Sequence, residues 1–280
     1  MSRTKPWELS EEVWVRAEPL IPPRDGKKKM GRPPQSDRAM LGAILFVLRT
    51  GIQWNALPRE VGASTTVYDR FRLWMEAGLF HRLWAAGLAK FDELVGIDWE
   101  WQSLDGAMTK APFGRAATAE VEGIGHNPTD RGKHGTKRST LSDGHGLPLA
   151  IVVAGANVHD TKLVAATLDG VVVTRPDAVH NLCLDAGYVG EKTAEVVQAH
   201  AYVAHVRPRG EEATNARSTD PAKTPRRWVV ERLHSWLNRS RRLLVRWEKR
   251  KDTYLAFLQL ACALICFQQC DRFLATLLSE

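Results

Sequence analysis

The hydrophobic pattern changes near Ile97, and that change dictates the layout of the chain. Before it the sequence reads as helices. After it, short apolar runs punctuated by Gly, Asp and Asn read as strands. Trp99 to Leu104 ends at Asp105-Gly106. Lys137 to Leu141 and Leu147 to Val153 flank a hairpin turn at residues 142–146. A helix from Asp160 or Thr161 to Leu168, a strand from Asn181 to Leu184, a helix from Glu191 to Ala199 and a strand from Tyr202 to Val206 follow. The polar segment Gly210 to Thr224 reads as a loop. Two long helices close the chain, from about Pro225 to Trp247 and from about Tyr254 to Leu278. This order, β-β-β-α-β-α-β-α, predicts a mixed α/β sheet flanked by helices.

The segment before Ile97 is expected to form a separate helical unit, residues 1–95, leaving 96–280 for the α/β domain. Ser10 can cap a helix over Glu11 to Leu20, stopped at Pro22-Pro23. A basic Pro/Gly-rich connector containing Arg32 runs from Arg24 to Pro34. Ser36 caps the next helix, to Arg49, and Gly51 ends it. A short helix at Pro58 to Val61, a turn at Gly62-Ala63 and a helix from Ser64 to Ala77 give the helix-turn-helix pattern. Its second helix would offer Thr65, Thr66 and Arg70 to DNA. Many all-helical domains share this spacing without binding DNA.

The net charge is +7 with a pI near 9.4, which favours a polyanionic partner, most commonly nucleic acid. Four cysteines do not make a disulfide framework in 280 residues, and Cys262, Cys266 and Cys270 at helical spacing suit packing. The N-terminus has no apolar run, and Tyr254 to Phe267 is too short to span a bilayer, so no membrane partner and a cytoplasmic location are expected.

Three acids stand where chemistry is usually placed. Asp105 and Asp185 each follow an apolar strand, where open α/β sheets put their sites. Glu231 lies near the start of a helix. Arg227, Glu231, His234, Asn238 and Arg242 form one stripe of that helix, expected to face a cleft or solvent, opposite Val229, Leu233, Trp236, Leu237 and Leu244. Carboxylates converging from strand ends and a helix suit Mg²⁺. Two ions about 4 Å apart could hold both oxygens of a phosphoryl transfer. Taken singly, each acid has a plainer reading. Asp105-Gly106 and Asp185-Ala186-Gly187 could be turns, and Glu231 could pair with Arg227.

Ser103-Leu104-Asp105-Gly106, Leu182-Cys183-Leu184-Asp185-Ala186-Gly187-Tyr188 and Arg227-x-x-x-Glu231 resemble the acidic blocks of insertion-sequence DDE transposases, family five of the bacterial insertion sequences. Gly51-Ile52-Gln53-Trp54, Gly135-Thr136-Lys137-Arg138, Asp143-Gly144-x-Gly146-Leu147-Pro148-Leu149 and Ala156-Asn157-Val158-His159-Asp160 extend the resemblance over nearly the whole chain. It implies an RNase-H-like catalytic core and two Mg²⁺ ions, replaceable by Mn²⁺, on Asp105, Asp185 and Glu231. It also implies strand cleavage and transfer at the terminal inverted repeats, by a homodimer or larger assembly on DNA. The wider group carries Tyr and Lys around the last acid where this chain has Thr224 and Asn238.

The last-acid helix and its exit are rich in arginine. Arg227, Arg239 and Arg242 are candidates to contact phosphate, as are Lys133, Lys137 and Arg138 beside a strand. Trp228 and Trp247 could stack on a displaced base, whereas Trp236 is expected in the core. His159-Asp160 could support the site, or Asp160 could cap a helix. Rival readings are a catalytically silent DNA-binding protein and a nuclease that cuts without joining.

Overall fold

The computed structural model describes residues 5, 8–23, 35–113, 122–206, 226 and 228–277. Four helices open the chain: α1 (Glu11–Ala17), α2 (Asp37–Thr50), α3 (Ser64–Glu76) and α4 (Leu79–Leu94). The expected caps are in place. The Ser10 hydroxyl accepts from the Val13 N–H, and that of Ser36 from the Ala39 N–H. Gly51 closes α2 at φ +72°, and a Cβ there would also crowd the Arg241 backbone at 3.1 Å.

The short helix expected at Pro58 to Val61 is a single turn, in which the Val61 and Gly62 N–H groups both donate to the Pro58 carbonyl. So short a piece gains too few hydrogen bonds to propagate as a helix. Residues 51–63 therefore separate α2 from α3, longer than a helix-turn-helix connection. Helix α4 had no counterpart in the sequence reading.

The sheet contains β1 (Trp101–Lys110), β2 (Gly125–His126), β3 (His134–Ser142), β4 (Pro148–Gly155), β5 (His180–Leu184) and β6 (Tyr202–Val206). β1 lies between antiparallel β3 and parallel β5; β6 continues parallel beyond β5, and β4 and β2 pair along β3. The carboxylate of Asp143 organises the β3–β4 turn by accepting from the Leu147, His145 and Asp98 N–H groups. Helices α5 (Val164–Asp169) and α6 (Glu191–Ala199) connect the later strands, and α7 (Trp228–Asn238) and α8 (Lys251–Leu277) follow.

Two expectations change here. β1 does not stop at Leu104, because residues 103–110 pair with β3 down to Lys110–Gly135. Asp105 is thus inside a strand and not in a turn. The long helix expected to reach Trp247 ends at Asn238. Beyond it Val245 bridges to Lys110, and the fully buried Arg246 guanidinium donates to the carbonyls of Gly123 and Glu248 and to the Thr136 hydroxyl. Those bonds need an extended chain, since a buried guanidinium must find its acceptors.

α8 is long and apolar enough to cross a bilayer by length and composition, exceeding the stretch expected from sequence; most of that stretch is buried inside the fold. Its three cysteines are buried, and Gly87 of α4 lets the helices approach, since a Cβ there would lie 3.0 Å from that of Cys266. One continuous apolar core runs from Val13 through α4, the sheet and α8 to Cys270. It spans the 95/96 boundary that the sequence pattern suggested.

Candidate active site

Parallel pairing sets the site. β1 and β5 align Ser103 with Cys183, so Asp105 and Asp185, each two residues on, come level on neighbouring strands. Both are half-buried. Asp105 Oδ1 accepts from the Gly106 N–H at 2.8 Å, and Asp185 Oδ1 from the Gly187 N–H at 2.7 Å. The second is the Asx turn that the plainer reading proposed, but it sits at the end of β5 beside the other acid.

A third carboxylate joins them. Asp160 Oδ2 accepts from Lys137 Nζ at 2.9 Å, and the same ammonium donates to the Val158 carbonyl at 2.7 Å. Asp160 Oδ1 is buried with no hydrogen-bond partner among the described residues. It lies against Gly106, where a Cβ would fall 2.0 Å from it. His159, not Asp160, is the cap of the following turn. Tyr188 is buried beside this group, and its hydroxyl also lacks a partner among the described residues. Burial raises its pKa, and the charges of Asp160, Asp105 and Asp185 raise it further. Tyr188 thus stands within electrostatic reach of all three. Tyr188 stood in the sequence only as the end of the Leu182–Tyr188 block, with no role read from it.

Glu231 is exposed on α7, which packs on β1 and β3. The Ser103 hydroxyl ties the approach to this helix by donating to the Arg226 carbonyl at 3.1 Å, and Arg138 donates to Asn238 at its far end. Among the described residues, no three His, Cys, Asp or Glu side chains are gathered closely enough to hold a metal ion. The sheet sets Asp105 and Asp185 level, Asp160 packs against Gly106 next to Asp105, and Glu231 stands on the adjoining helix. Asp105, Asp185 and Glu231 offer only oxygen donors, the type a hard divalent cation takes.

The expected polar stripe of α7 is only partly exposed. His234 is 9% exposed and neither ring nitrogen has a hydrogen-bond partner among the described residues. Burial, and secondarily the Arg138 charge, push its pKa down to about 3, so the ring is neutral. Trp236 is half-buried, and the Arg232 guanidinium lies over both its ring and that of Trp228, at 4.9 and 4.6 Å.

Three expected phosphate contacts turn inward. Lys137, Arg138 and Arg242 are 5%, 2% and 5% exposed. Lys137 serves Asp160 and Arg138 serves Asn238. Arg242 donates to Glu248 at 2.6 Å and to the Ile52 carbonyl at 3.0 Å. A long charged side chain bonded inside the fold has no face left for DNA. Arg70 is half-buried on Asp37 at 2.7 Å. Thr65, Thr66, Lys133 and Arg239 are exposed, whereas Arg32 and Arg227 lie outside the described residues.

A five-strand run of antiparallel and parallel pairings with two level aspartates is the RNase-H-like frame of DDE enzymes. Residues 102–266 match the family model "Transposase DDE domain", and residues 9–84 match "Putative transposase of IS4/5 family". The chain belongs to the DDE transposases of bacterial insertion sequences. It is 37% identical over 157 residues to the putative transposase for insertion sequence element IS402 of Burkholderia cepacia, covering 53% of this chain and 70% of the relative. It is 28% identical over 115 residues to the uncharacterized protein y4sN of Sinorhizobium fredii, covering 41% and 86%. The Mos1 transposase paired-end complex with left transposon end is similar at 11% identity and a TM-score of 0.30, over 86% of this chain and 82% of that one. DDE transposases depend on divalent metal ions.

Proposed function

We propose that this transposase binds the terminal inverted repeats of its own insertion sequence, cuts a strand at the element's end and joins the freed 3′ end to target DNA. Asp105, Asp185 and Glu231 are the residues that would hold two Mg²⁺ ions, for which Mn²⁺ could substitute. The ions, when bound, supply an activated oxygen and offset the charge developing on phosphate. The chain's own groups fix the frame for this. The β1–β5 register holds two carboxylates side by side. Lys137 holds Asp160 against the Gly106 backbone, which keeps the strand next to Asp105 in place. Exposed Thr65, Thr66, Lys133 and Arg239 are the groups offered to duplex DNA, with two or more copies of the chain pairing the two ends in the cytoplasm.

The observation that carries this reading is the level pair Asp105 and Asp185 inside the segment matching the DDE family. The test is to incubate purified protein with labelled end DNA and a target plasmid, comparing Mg²⁺ with Ca²⁺ and wild type with Glu231→Gln. Mg²⁺-dependent nicks and joined products, lost in Glu231→Gln, support it. End binding without cutting under every condition would leave a silent DNA-binding protein, and nicks without joining would leave a nuclease.

A further inference from the structure

A cavity of about 380 Å³ opens where the end of β1 meets the β2–β3 hairpin, lined by Lys110, Pro112, His126, Gly132, Lys133 and His134. Lys137 and Arg138 turn inward, but Lys133 gains basic neighbours here from β1 and β2. Lys110 and Lys133 have side chains 62% and 54% exposed. Their ammonium groups lie 3.7 and 3.9 Å from the carboxylate of Asp130, which is not part of the lining. Those distances exceed a hydrogen bond, so Asp130 steers both cations without using their donors. His126 and His134 face each other across the hairpin with rings 5.0 Å apart. His126 Nδ1 lies 2.7 Å from the Gly132 carbonyl, which can only accept, so the ring donates there and keeps Nε2 for a ligand.

The turn beneath the cavity is held in one shape. The Asn127 side chain accepts from the N–H and hydroxyl of Thr129, and its backbone is bonded to both Gly132 and Lys133. Arg131 and Gly132 are both left-handed, at φ +53° and +70°. Glycine takes that conformation freely, whereas a side chain resists it, and such strain is kept where its surroundings enforce it. It leaves the exposed Arg131 on the same turn as Lys133.

These groups select an anion. Three cations stand against one carboxylate, so a metal ion would be repelled, and among the described residues no acid lines the cavity to hold one. An apolar ligand would desolvate two ammonium groups for nothing in return. An oxyanion presents several acceptor oxygens on one centre and satisfies lysines and imidazole together. For a DNA transposase the oxyanion at hand is a backbone phosphate.

We propose that this cavity grips one phosphate of the DNA strand, with Lys110 and Lys133 on either side and His126 beside them. The site rests on the DNA-binding function proposed above and assigns it a particular phosphate. Asp105 and Lys110 are five residues apart on β1, about 17 Å. At about 3.4 Å of helix axis per base step, the gripped phosphate lies within about five nucleotides of the cleaved bond.

The test scans end duplexes that each carry one neutral methylphosphonate, binding them to the full chain by fluorescence anisotropy. One position within about five nucleotides of the cut is expected to weaken wild type about three- to fivefold. Lys110→Met should weaken binding of unmodified duplex by a similar factor and lower the salt slope by about one, with melting temperature unchanged. In that variant the same methylphosphonate should have no further effect, because the contact it removes is already gone. The same position should fall silent in Lys133→Met and His126→Phe. Losses that simply add at every position, or lysines silenced at different phosphates, overturn the site. A weakened Lys110→Met with no silent position would mean that the cavity holds a free anion and not the strand. If wild type does not bind end duplex at all, the DNA-binding function itself fails and the site falls with it.

Discussion

Asp105 and Asp185 stand side by side across two parallel strands, each two residues beyond the Ser103–Cys183 pair. Asparagine at either position keeps the shape and removes the charge. Asp105→Asn and Asp185→Asn are each expected to slow end cutting by about 10³-fold or more, the scale of several kcal/mol of lost charge stabilisation. Binding of end DNA should persist. Gel-resolved nicks alongside anisotropy check both halves, and a variant that still cuts at the wild-type rate would remove that acid from the site.

Gly106 has no room for a side chain, because Asp160 Oδ1 occupies the place of its Cβ. Gly106→Ala is expected to cut at least about 100-fold more slowly while the protein stays folded, since misplacement by about 1 Å carries that penalty. Shortening the neighbour should relieve the clash. The double variant Gly106→Ala/Asp160→Ser recovering part of the lost rate would confirm a steric cause; no recovery would point to a separate role for Asp160.

Arg242 and Glu248 form a buried ion pair at 2.6 Å, with side chains 6% and 4% exposed. Arg242→Ala would strand the carboxylate, at a cost of about 3–5 kcal/mol in stability. Urea unfolding measures this directly. Arg239 is exposed, and Arg239→Ala should instead leave stability unchanged and lower the salt dependence of DNA binding by about one phosphate contact. If Arg242→Ala lost DNA affinity with no loss of stability, the inward assignment would be wrong.

His234 makes the fold sensitive to acid. Its ring ionises near 6.5 in an unfolded chain but near 3 when buried, so between those values the unfolded chain holds the extra proton. Stability is therefore lost as pH falls from about 6.5 through about 3. Asp143 acts in the opposite sense, because burial pushes its pKa from 3.8 up to about 7 and stability falls as pH rises across that range. Comparing His234→Leu with wild type isolates the histidine. The variant should be favoured at pH 5 relative to pH 7.5 by about 2 kcal/mol. An equal difference at both values would mean that the ring ionises in place.

Local chemistry was legible in the chain, and long-range burial was not. Ser10, Ser36 and Gly51 could be read as caps because a cap needs only its own turn. α6 and β6 have the limits their patterns gave, and Asp185 follows β5 as read. The second half of β1 escaped, since Asp105 to Lys110 becomes strand by pairing with residues some thirty positions away. The same reason hides the fate of the charges. Arg138 and Arg242 look like surface groups until Asn238, Ile52 and Glu248 close around them. The placing of Asp160 against Gly106, beside Asp105, likewise needs β1 and the turn after β4 to meet, which no local pattern shows.

The tight seam of α4 and α8, with Gly87 against Cys266, joins the opening helices to the helix that packs on β4. A protein joined in this way works as a pair of calipers. On the function proposed above, the interval between bases touched by α3 and the phosphate brought to Asp105 would be measured by the body of the protein itself. Base pairs added to that interval would carry the cleavage point past the jaws, with no linker to stretch after it.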